Sequence, residues 1–443
     1  MPGVPKPDPI STQQRRIAEL ARQMPEQALH ALSCRIDPEW MKEAYRLTRK
    51  DGAVGVDGQT AQAFSRELEG NLQRLLDDAK SGRYRAPPVR RVHIPKGDGR
   101  KTRPIGITTF GDKVLQRAVV MALEPLWEEE FFDFSYGFRP GRSAHDALKA
   151  LQHRLWKMRG GVVLEVDIKS FFDTIDRDLL QEMLRRRVAD GVLLRLVGKW
   201  LNAGVMEDGQ LSRPDAGTPQ GGVVSPLLAN IYLHEIFDAW WVRDVKPRLH
   251  GEAHPFRYAD DLLVVFESEA DARRVMEVLP KRFGRFGLTL HPEKTRLVPF
   301  RCPAIRGRGP RAESFDFLGF THYWARSRRG RWVPMQKTSK RRFSRALKRI
   351  NRWCRWARHL PLEMQAKVLG RKLRGHYAYY GTTGNSRALA CFLHEVKRIW
   401  KSWLNRRSQR ARMSWTTFHR LTTRYPLPGP VAVHSVLRRT AKR

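Results

Sequence analysis

Three carboxylates in this 443-residue sequence stand where acids can do chemistry. Asp167 follows the apolar run Val162–Val166, and Asp260-Asp261 separates the segments Phe256–Tyr258 and Leu262–Phe266. Strand ends hold side chains rigidly, and carboxylate oxygens are the donors that hard cations take. Two magnesium ions held close together by such a set can activate a 3′-hydroxyl and steady a triphosphate, which is the chemistry of nucleotidyl transfer. An isolated Asp-Asp pair more often decorates an exposed hairpin turn. Its surroundings decide between the two.

Those surroundings read as a mixed α+β region. Val162, Leu164 and Val166 alternate in a short strand ending at Asp167. Asp176 is placed to cap a helix with Leu179, Leu180, Met183 and Leu184 as its buried stripe. Gly217 to Gly222 form a loop leading to Ser225-Pro226, read as a cap followed by the residue favoured at the first helical position. The helix then runs through Leu228, Ile231 and Tyr232 toward Trp241. Upstream, Val89–Pro95 and Thr102–Ile107 flank Gly97-Asp98-Gly99, a hairpin signal, with Lys96, Arg100, Lys101 and Arg103 crowding the turn. A helix is expected over Asp112–Phe132. The stretch from Ser11 to Gly82 reads as helical, broken at Pro25, Pro38 and Gly52–Gly58.

Beyond the Pro/Gly/Arg-rich segment Arg301–Arg311 and a last strand, the pattern becomes helical. Phe343, Leu347, Ile350, Cys354 and Ala357 repeat at 4-3-4-3, as do Leu389, Phe392, Val396, Trp400 and Trp403. These stripes are core. Around them lies most of the charge: the net value is +38, and Thr321–Arg443 carries 32 Lys/Arg against two acids, an excess of 30. The first 320 residues have an excess of only 8. A surface so lacking in acids and so rich in tryptophan fits a phosphate polymer, so nucleic acid is the expected partner.

The 41% hydrophobic fraction excludes global disorder. No apolar run is long enough to span a membrane, and Met1–Ser11 lacks a signal-peptide core, which reads as cytoplasmic. Cys34, Cys302, Cys354 and Cys391 are scattered, giving neither a zinc ribbon nor a disulfide framework.

The segment Phe256-Arg257-Tyr258-Ala259-Asp260-Asp261 resembles the Tyr-x-Asp-Asp box of reverse transcriptases, and Val166-Asp167-Ile168-Lys169-Ser170-Phe171-Phe172-Asp173 resembles their preceding carboxylate motif. Between them lies Gly217-Thr218-Pro219-Gln220-Gly221-Gly222-Val223-Val224-Ser225-Pro226-Leu227, in the family's order. Ser135-Tyr136-Gly137-Phe138-Arg139-Pro140-Gly141-Arg142-Ser143, Arg103-Pro104-Ile105 and Phe317-Leu318-Gly319-Phe320 narrow the resemblance to group II intron-encoded proteins. So do Gly55-Val56-Asp57-Gly58 and Leu373-Arg374-Gly375-His376-Tyr377-Ala378-Tyr379-Tyr380-Gly381. The resemblance covers nearly everything after Tyr45.

It implies a right-hand polymerase: a helical extension (1–82), fingers and palm (83–325), an all-helical thumb or maturase domain (326–403), and a short basic DNA-binding segment (404–443). It also implies RNA-directed DNA synthesis with two Mg²⁺ ions, assistance to splicing of the cognate intron RNA, and copying of that RNA at a DNA target. Asp167, Asp260 and Asp261 would be the metal ligands. Phe172 would be the steric gate against a ribose 2′-hydroxyl, with a core Phe beside Phe171 as its alternative. Gln220 and Ile168 would face the incoming deoxynucleotide, Lys96 and Arg103 its triphosphate, and Lys294 the leaving pyrophosphate. Phe317, Leu318 and Gly319 would form the primer grip. Arg341, Arg342, Lys348, Arg349, Arg374, Arg406 and Arg407 would meet RNA or DNA. Larger members end in an endonuclease with paired Cys and His ligands. This sequence has none, which resembles the compact bacterial class. Two other readings stay open: an intron-free relative serving defence or repair, and a non-catalytic splicing factor.

Overall fold

The computed structural model describes residues 9–96, 101–207, 209–212, 221–303, 313–327, 329–408 and 412–434, with the backbone alone at 9, 96 and 101. The Gly97-Asp98-Gly99 turn and Gln220 with the loop before it lie outside these residues. The chain divides into two compact units. One joins Met1–Ser143, Leu164–Val264 and Ala270–Arg296; the other joins Ala144–Val163, Val265–Glu269 and Leu297–Arg443.

The first unit is built around the helix Phe110–Glu128. It starts two residues before Asp112 because Thr109 caps it, accepting the Asp112 N–H at 3.3 Å. Val114, Ala118, Val119, Ala122, Leu123 and Leu126 are all buried, so apolar side chains cover most of its circumference and neighbours must surround it. Among those neighbours is Pro38–Leu47, capped by Asp37, whose fully buried Trp40 donates its indole N–H to the Ala118 carbonyl at 3.0 Å.

The strands, in chain order, are β1 (Val89–Lys96), β2 (Lys101–Ile107), β3 (Val162–Val166), β4 (Val205–Glu207), β5 (Gln210–Ser212), β6 (Ala253–Tyr258), β7 (Asp261–Phe266), β8 (Arg296–Pro299), β9 (Phe315–Phe317), β10 (Phe320–Arg326) and β11 (Trp332–Thr338). They form three sheets, ordered β2-β1-β4-β5, β6-β7-β3-β8 and β11-β10-β9. The β1–β2 hairpin is antiparallel, with Arg103 opposite Ile94.

Two local differences from the sequence reading have clear causes. The helix Ser225–Leu233 takes Ser225 inside its first turn, with Val224 in the capping position. It then passes through π-helical turns at His234–Asp238 and Trp241–Val245, which apolar periodicity does not reveal.

In the second unit the region after residue 326 is not all-helical. β11 pairs antiparallel with β10 from Phe320 opposite Thr338 to Arg326 opposite Trp332. The strand was hidden because its buried positions are Pro334, Gln336 and Thr338, only one of them apolar. Helices then follow at Lys340–Trp356, Leu362–Tyr380, Ser386–Leu404 and Trp415–Arg424. Ile350, Cys354, Leu369, Leu373, Leu389, Phe392, Val396 and Trp400 make their core, as the stripes require. Leu404 and Phe418, both 2% exposed, belong to the same core. The helix Trp415–Arg424 therefore packs as part of the helical unit. The four cysteines are free, and no described helix is long and apolar enough to cross a membrane.

Candidate active site

A Cβ on Gly161, just before β3, would collide with the carbonyl of Phe266 at the end of β7. The two adjacent strands therefore run antiparallel, and Asp167 after β3 falls at the same sheet edge as Asp261 at the start of β7. Asp167 is held through its backbone: its carbonyl accepts the His291 N–H at 2.8 Å, and its N–H points to Thr295 Oγ1 at 3.4 Å. The loop carrying those two residues also carries Lys294, whose Nζ lies 3.1 Å from both Asp167 carboxylate oxygens. Ile168 is buried and bridges Leu290, and the Lys169 backbone N–H donates to the Thr289 carbonyl at 2.8 Å, so the two residues after Asp167 face the same segment.

Asp260 is half-buried and Asp261 exposed, in a turn whose first residue, Ala259, has φ of 55°. That left-handed backbone is uncommon for a side chain with a Cβ. Its support comes from beneath. Arg257, 1% exposed, donates from Nε to Asp238 Oδ1 at 2.8 Å, from Nη2 to Asp238 Oδ2, from Nη1 to Asn230 Oδ1 at 2.9 Å, and from Nη1 to the Ala259 carbonyl at 3.4 Å. Asn230 in turn donates to the Gly137 carbonyl at 2.7 Å. Gly137 packs so closely that a Cβ would overlap the Ala259 nitrogen and come 2.8 Å from the Tyr258 carbonyl carbon. The chain before it follows β6, with Arg257 N–H on Phe134 O and Tyr136 N–H on Arg257 O, both 2.8 Å. Phe138, next in line, is 52% exposed at φ 58°.

Among the described residues, no three His, Cys, Asp or Glu side chains stand close enough together to hold a metal ion. The donor chemistry of the shared edge nonetheless fits magnesium: three carboxylates, at least partly open to solvent, on the ends of neighbouring strands.

The other sequence-selected residues divide between the units. Phe172 is half-buried, edge-on to the buried Phe171 at 5.2 Å between centroids, so the core role falls to Phe171. Arg103 is exposed on β2, and Lys96 ends β1. Behind the β1–β2 hairpin, Asp112 accepts from the Tyr84 hydroxyl, from Trp200 Nε1 at 2.9 Å and from Gln116 Nε2 at 3.2 Å. Burial pushes the Asp112 carboxyl up to about 6, against the downward pull of these donors. Gln116 also accepts the Val224 N–H at 3.3 Å, tying this cluster to the chain beyond Gln220.

In the second unit, Phe317, Leu318 and Gly319 form the β9–β10 turn. Leu318 and Gly319 have φ of 47° and 83°, and the Leu318 carbonyl accepts the Tyr379 hydroxyl at 2.8 Å. Arg341, Arg342, Lys348 and Arg349 are exposed along one helix, and Arg374 is exposed on the next. Arg406 is exposed with its guanidinium 4.8 Å over the Trp403 ring. Arg407 differs: it is half-buried and donates to the carbonyls of Arg358 and Leu360, an internal clamp.

Residues 94–322 match the family described as reverse transcriptase (RNA-dependent DNA polymerase), just over half of the chain. The chain belongs to the reverse transcriptase family. Protein YkfC of Escherichia coli K12 is 35% identical over 74% of this chain and 93% of its own length. Group II intron-encoded protein LtrA of Lactococcus lactis is 37% identical over 52% of this chain, and the match spans 39% of LtrA. Nuclear intron maturase 2 of Arabidopsis thaliana is 29% identical over 47% of this chain and 32% of its own length. The homologues of this chain thus include group II intron-encoded proteins and an intron maturase.

Sequence reading selected the acids of the reverse transcriptase box and passed over what lies under them. Arg257, Asp238, Asn230 and Gly137 were not singled out. One signal was available: Arg257 is a lone cation between Phe256 and Tyr258 in an apolar strand, and a buried cation demands a partner. Nothing in the sequence named Asp238 as that partner.

Proposed function

We propose that this chain is an RNA-directed DNA polymerase that also binds a group II intron RNA, assists its splicing and supports its mobility by reverse transcription. The observation that carries the polymerase reading is the common sheet edge of Asp167, Asp260 and Asp261 in a chain of this family. Asp167 and Asp260 are the ligands for two magnesium ions, with Asp261 beside them. Magnesium bound there supplies a Lewis acid for the primer 3′-hydroxyl and the triphosphate. Lys96 and Arg103 grip the triphosphate through charge-assisted contacts, and Ile168 and Gln220 line the nucleotide site. Phe172 excludes the ribose 2′-hydroxyl, Lys294 protonates the leaving pyrophosphate, and Phe317, Leu318 and Gly319 hold the primer. The splicing role is supported by relatives named for introns and by the excess positive charge after residue 320. Such a surface offsets phosphate repulsion in a folded RNA without chemistry of its own.

The test is primer extension with deoxynucleotides on an RNA template, with and without Mg²⁺. The parent extends only with the metal, and Asp260→Ala does not extend. RNA affinity of the variant stays near the parent's, because phosphate binding comes from the basic surfaces. Extension by Asp260→Ala at about a tenth of the parent rate or faster, a barrier raised by only ~1.4 kcal/mol or less, would sink the assignment.

A further inference from the structure

We infer that Arg257, with Asp238 and Asn230, is a positioning device that sets the Asp260-Asp261 turn for metal binding. This rests on the reading of those acids as metal ligands. Arg257 and Asp238 are 1% and 0% exposed, and burying such a pair is costly enough that an apolar pair of similar volume often serves stability as well. What an apolar pair cannot do is hold several backbone segments in register. The guanidinium fork does so: two nitrogens are on Asp238, and the third is shared between Asn230 and the Ala259 carbonyl.

The anchor points come from elements that do not move easily. Asp238 ends a π-helical turn whose first carbonyl, at His234, accepts the Ala239 N–H. Asn230 is 1% exposed on the preceding helix and bonds both Arg257 and Gly137. Gly137 presses on the same turn at the Ala259 nitrogen, where there is no room for a Cβ. Ala259 is thus gripped at its carbonyl by Arg257 and at its nitrogen by Gly137, in a conformation that it would leave if free. Releasing either grip lets the turn relax, and both aspartates move with it. Outer partners of metal ligands typically matter by about 10- to 100-fold in metal affinity or activity.

The experiment uses the full chain carrying Arg257→Lys, Asn230→Ala, or the control Arg187→Lys. Arg187 is also a buried cation, bonded to backbone carbonyls at Ala21, Met24 and Gln27, but it makes no contact with the turn. Three quantities are read: Mn²⁺ affinity from the electron paramagnetic resonance of the free ion, the Mg²⁺ midpoint of primer extension, and the split between kcat and the deoxynucleotide KM. Arg257→Lys weakens Mn²⁺ binding and raises the Mg²⁺ midpoint by about 10-fold, and lowers kcat by about 10- to 100-fold, with KM within about threefold. Asn230→Ala, which buries no new charge and keeps the fold if Arg257→Lys does not, shifts the same quantities in the same direction. Arg187→Lys lowers the thermal midpoint and leaves the metal readouts unchanged. Parent-like Mn²⁺ affinity and Mg²⁺ midpoint in both turn variants, or an equal shift in the control, would overturn the inference. Asp260→Ala run in parallel separates the two levels. If it extends primers, the ligand assignment fails. If it is inactive while Arg257→Lys and Asn230→Ala match the parent, only the positioning role fails.

Discussion

Lys294 Nζ lies 3.1 Å from each carboxylate oxygen of Asp167, so an ammonium covers the face of the acid that a divalent cation would use. The side chains are 53% and 40% exposed, so water screens the pair and it holds weakly. A metal ion binding Asp167 therefore competes with Lys294. Lys294→Met should tighten Mn²⁺ binding by about two- to fivefold, the equivalent of the ~0.4–1 kcal/mol that an exposed pair contributes. The same variant should slow turnover if Lys294 has the proposed role of proton donor to pyrophosphate. A Mn²⁺ titration beside single-turnover rates checks both; weaker Mn²⁺ binding would show that Lys294 supports the ligand instead of opposing the ion.

Phe171 and Phe172 are adjacent but unequal. Phe171 is 3% exposed, whereas Phe172 keeps part of its ring open. Phe172→Val should therefore raise the efficiency of ribonucleotide relative to deoxynucleotide incorporation, with a modest loss of stability. Phe171→Ala should cost about 3–5 kcal/mol in urea unfolding instead. An unchanged nucleotide ratio with normal deoxynucleotide activity in the Phe172 variant would remove the gate role.

Asp112 makes stability depend on pH. Its carboxyl ordinarily titrates near 3.8 and is raised to about 6 in the folded chain, mainly by burial. The folded state thus holds the proton more tightly than the unfolded chain. The resulting stability is fully present below about pH 4 and is lost as pH rises through about 6. The difference amounts to about 3 kcal/mol. Asp112→Asn has no proton to lose there. Urea unfolding from pH 4 to 7.5 should show the parent losing about that much relative to the variant, and parallel profiles would refute it.

Much of this architecture was legible because it rests on simple periodicities. Val162, Leu164 and Val166 lie in a strand that ends just before Asp167, though Val163 is buried with them, Asp176 caps its helix by accepting the N–H groups of Asp178 and Leu179, and the two helical stripes became the core of the second unit. The rest was hidden where polar residues do a buried job. Gln336 and Thr338 line a strand, with the Thr338 N–H bonded to Asn385 Oδ1 at 2.9 Å. Asp238 meets Arg257 only through a π-helical turn. Lys294 meets Asp167 across 127 residues, a distance that no local pattern spans.

Synthesis and splicing assistance should separate, because the charge excess lies after residue 320 and the acids lie before it. Asp167→Ala should still promote splicing of the intron RNA from its own locus at moderate salt. Arg341→Glu, Arg342→Glu, Lys348→Glu and Arg349→Glu, all on exposed positions of one helix, should impair splicing first. Paired splicing and primer-extension time courses decide it. A folded, RNA-binding Asp167→Ala protein that fails to splice would mean the two functions share a site.

The segment after 404 calls for point substitutions, because deleting it removes core. Leu404 and Phe418 are each 2% exposed, and Phe418 stands edge-on to the fully buried Trp400 with centroids 5.6 Å apart. Truncation before Leu404 should therefore destabilise the helical unit, given that Phe→Ala alone in a core costs about 3–5 kcal/mol. DNA binding is tested better through Arg406, Arg412, Arg420 and Arg424, which are exposed. Replacing them together by Gln should flatten the salt dependence of DNA binding by about one unit of logarithmic slope for each phosphate no longer neutralised, with Arg407 kept because it clamps Arg358 and Leu360. The thermal midpoint should stay near the parent's, since none of the four side chains is buried. An unaltered salt slope in this variant would place the DNA-binding cations elsewhere on the basic surface. A slope reduced by about four would assign all four arginines to phosphates.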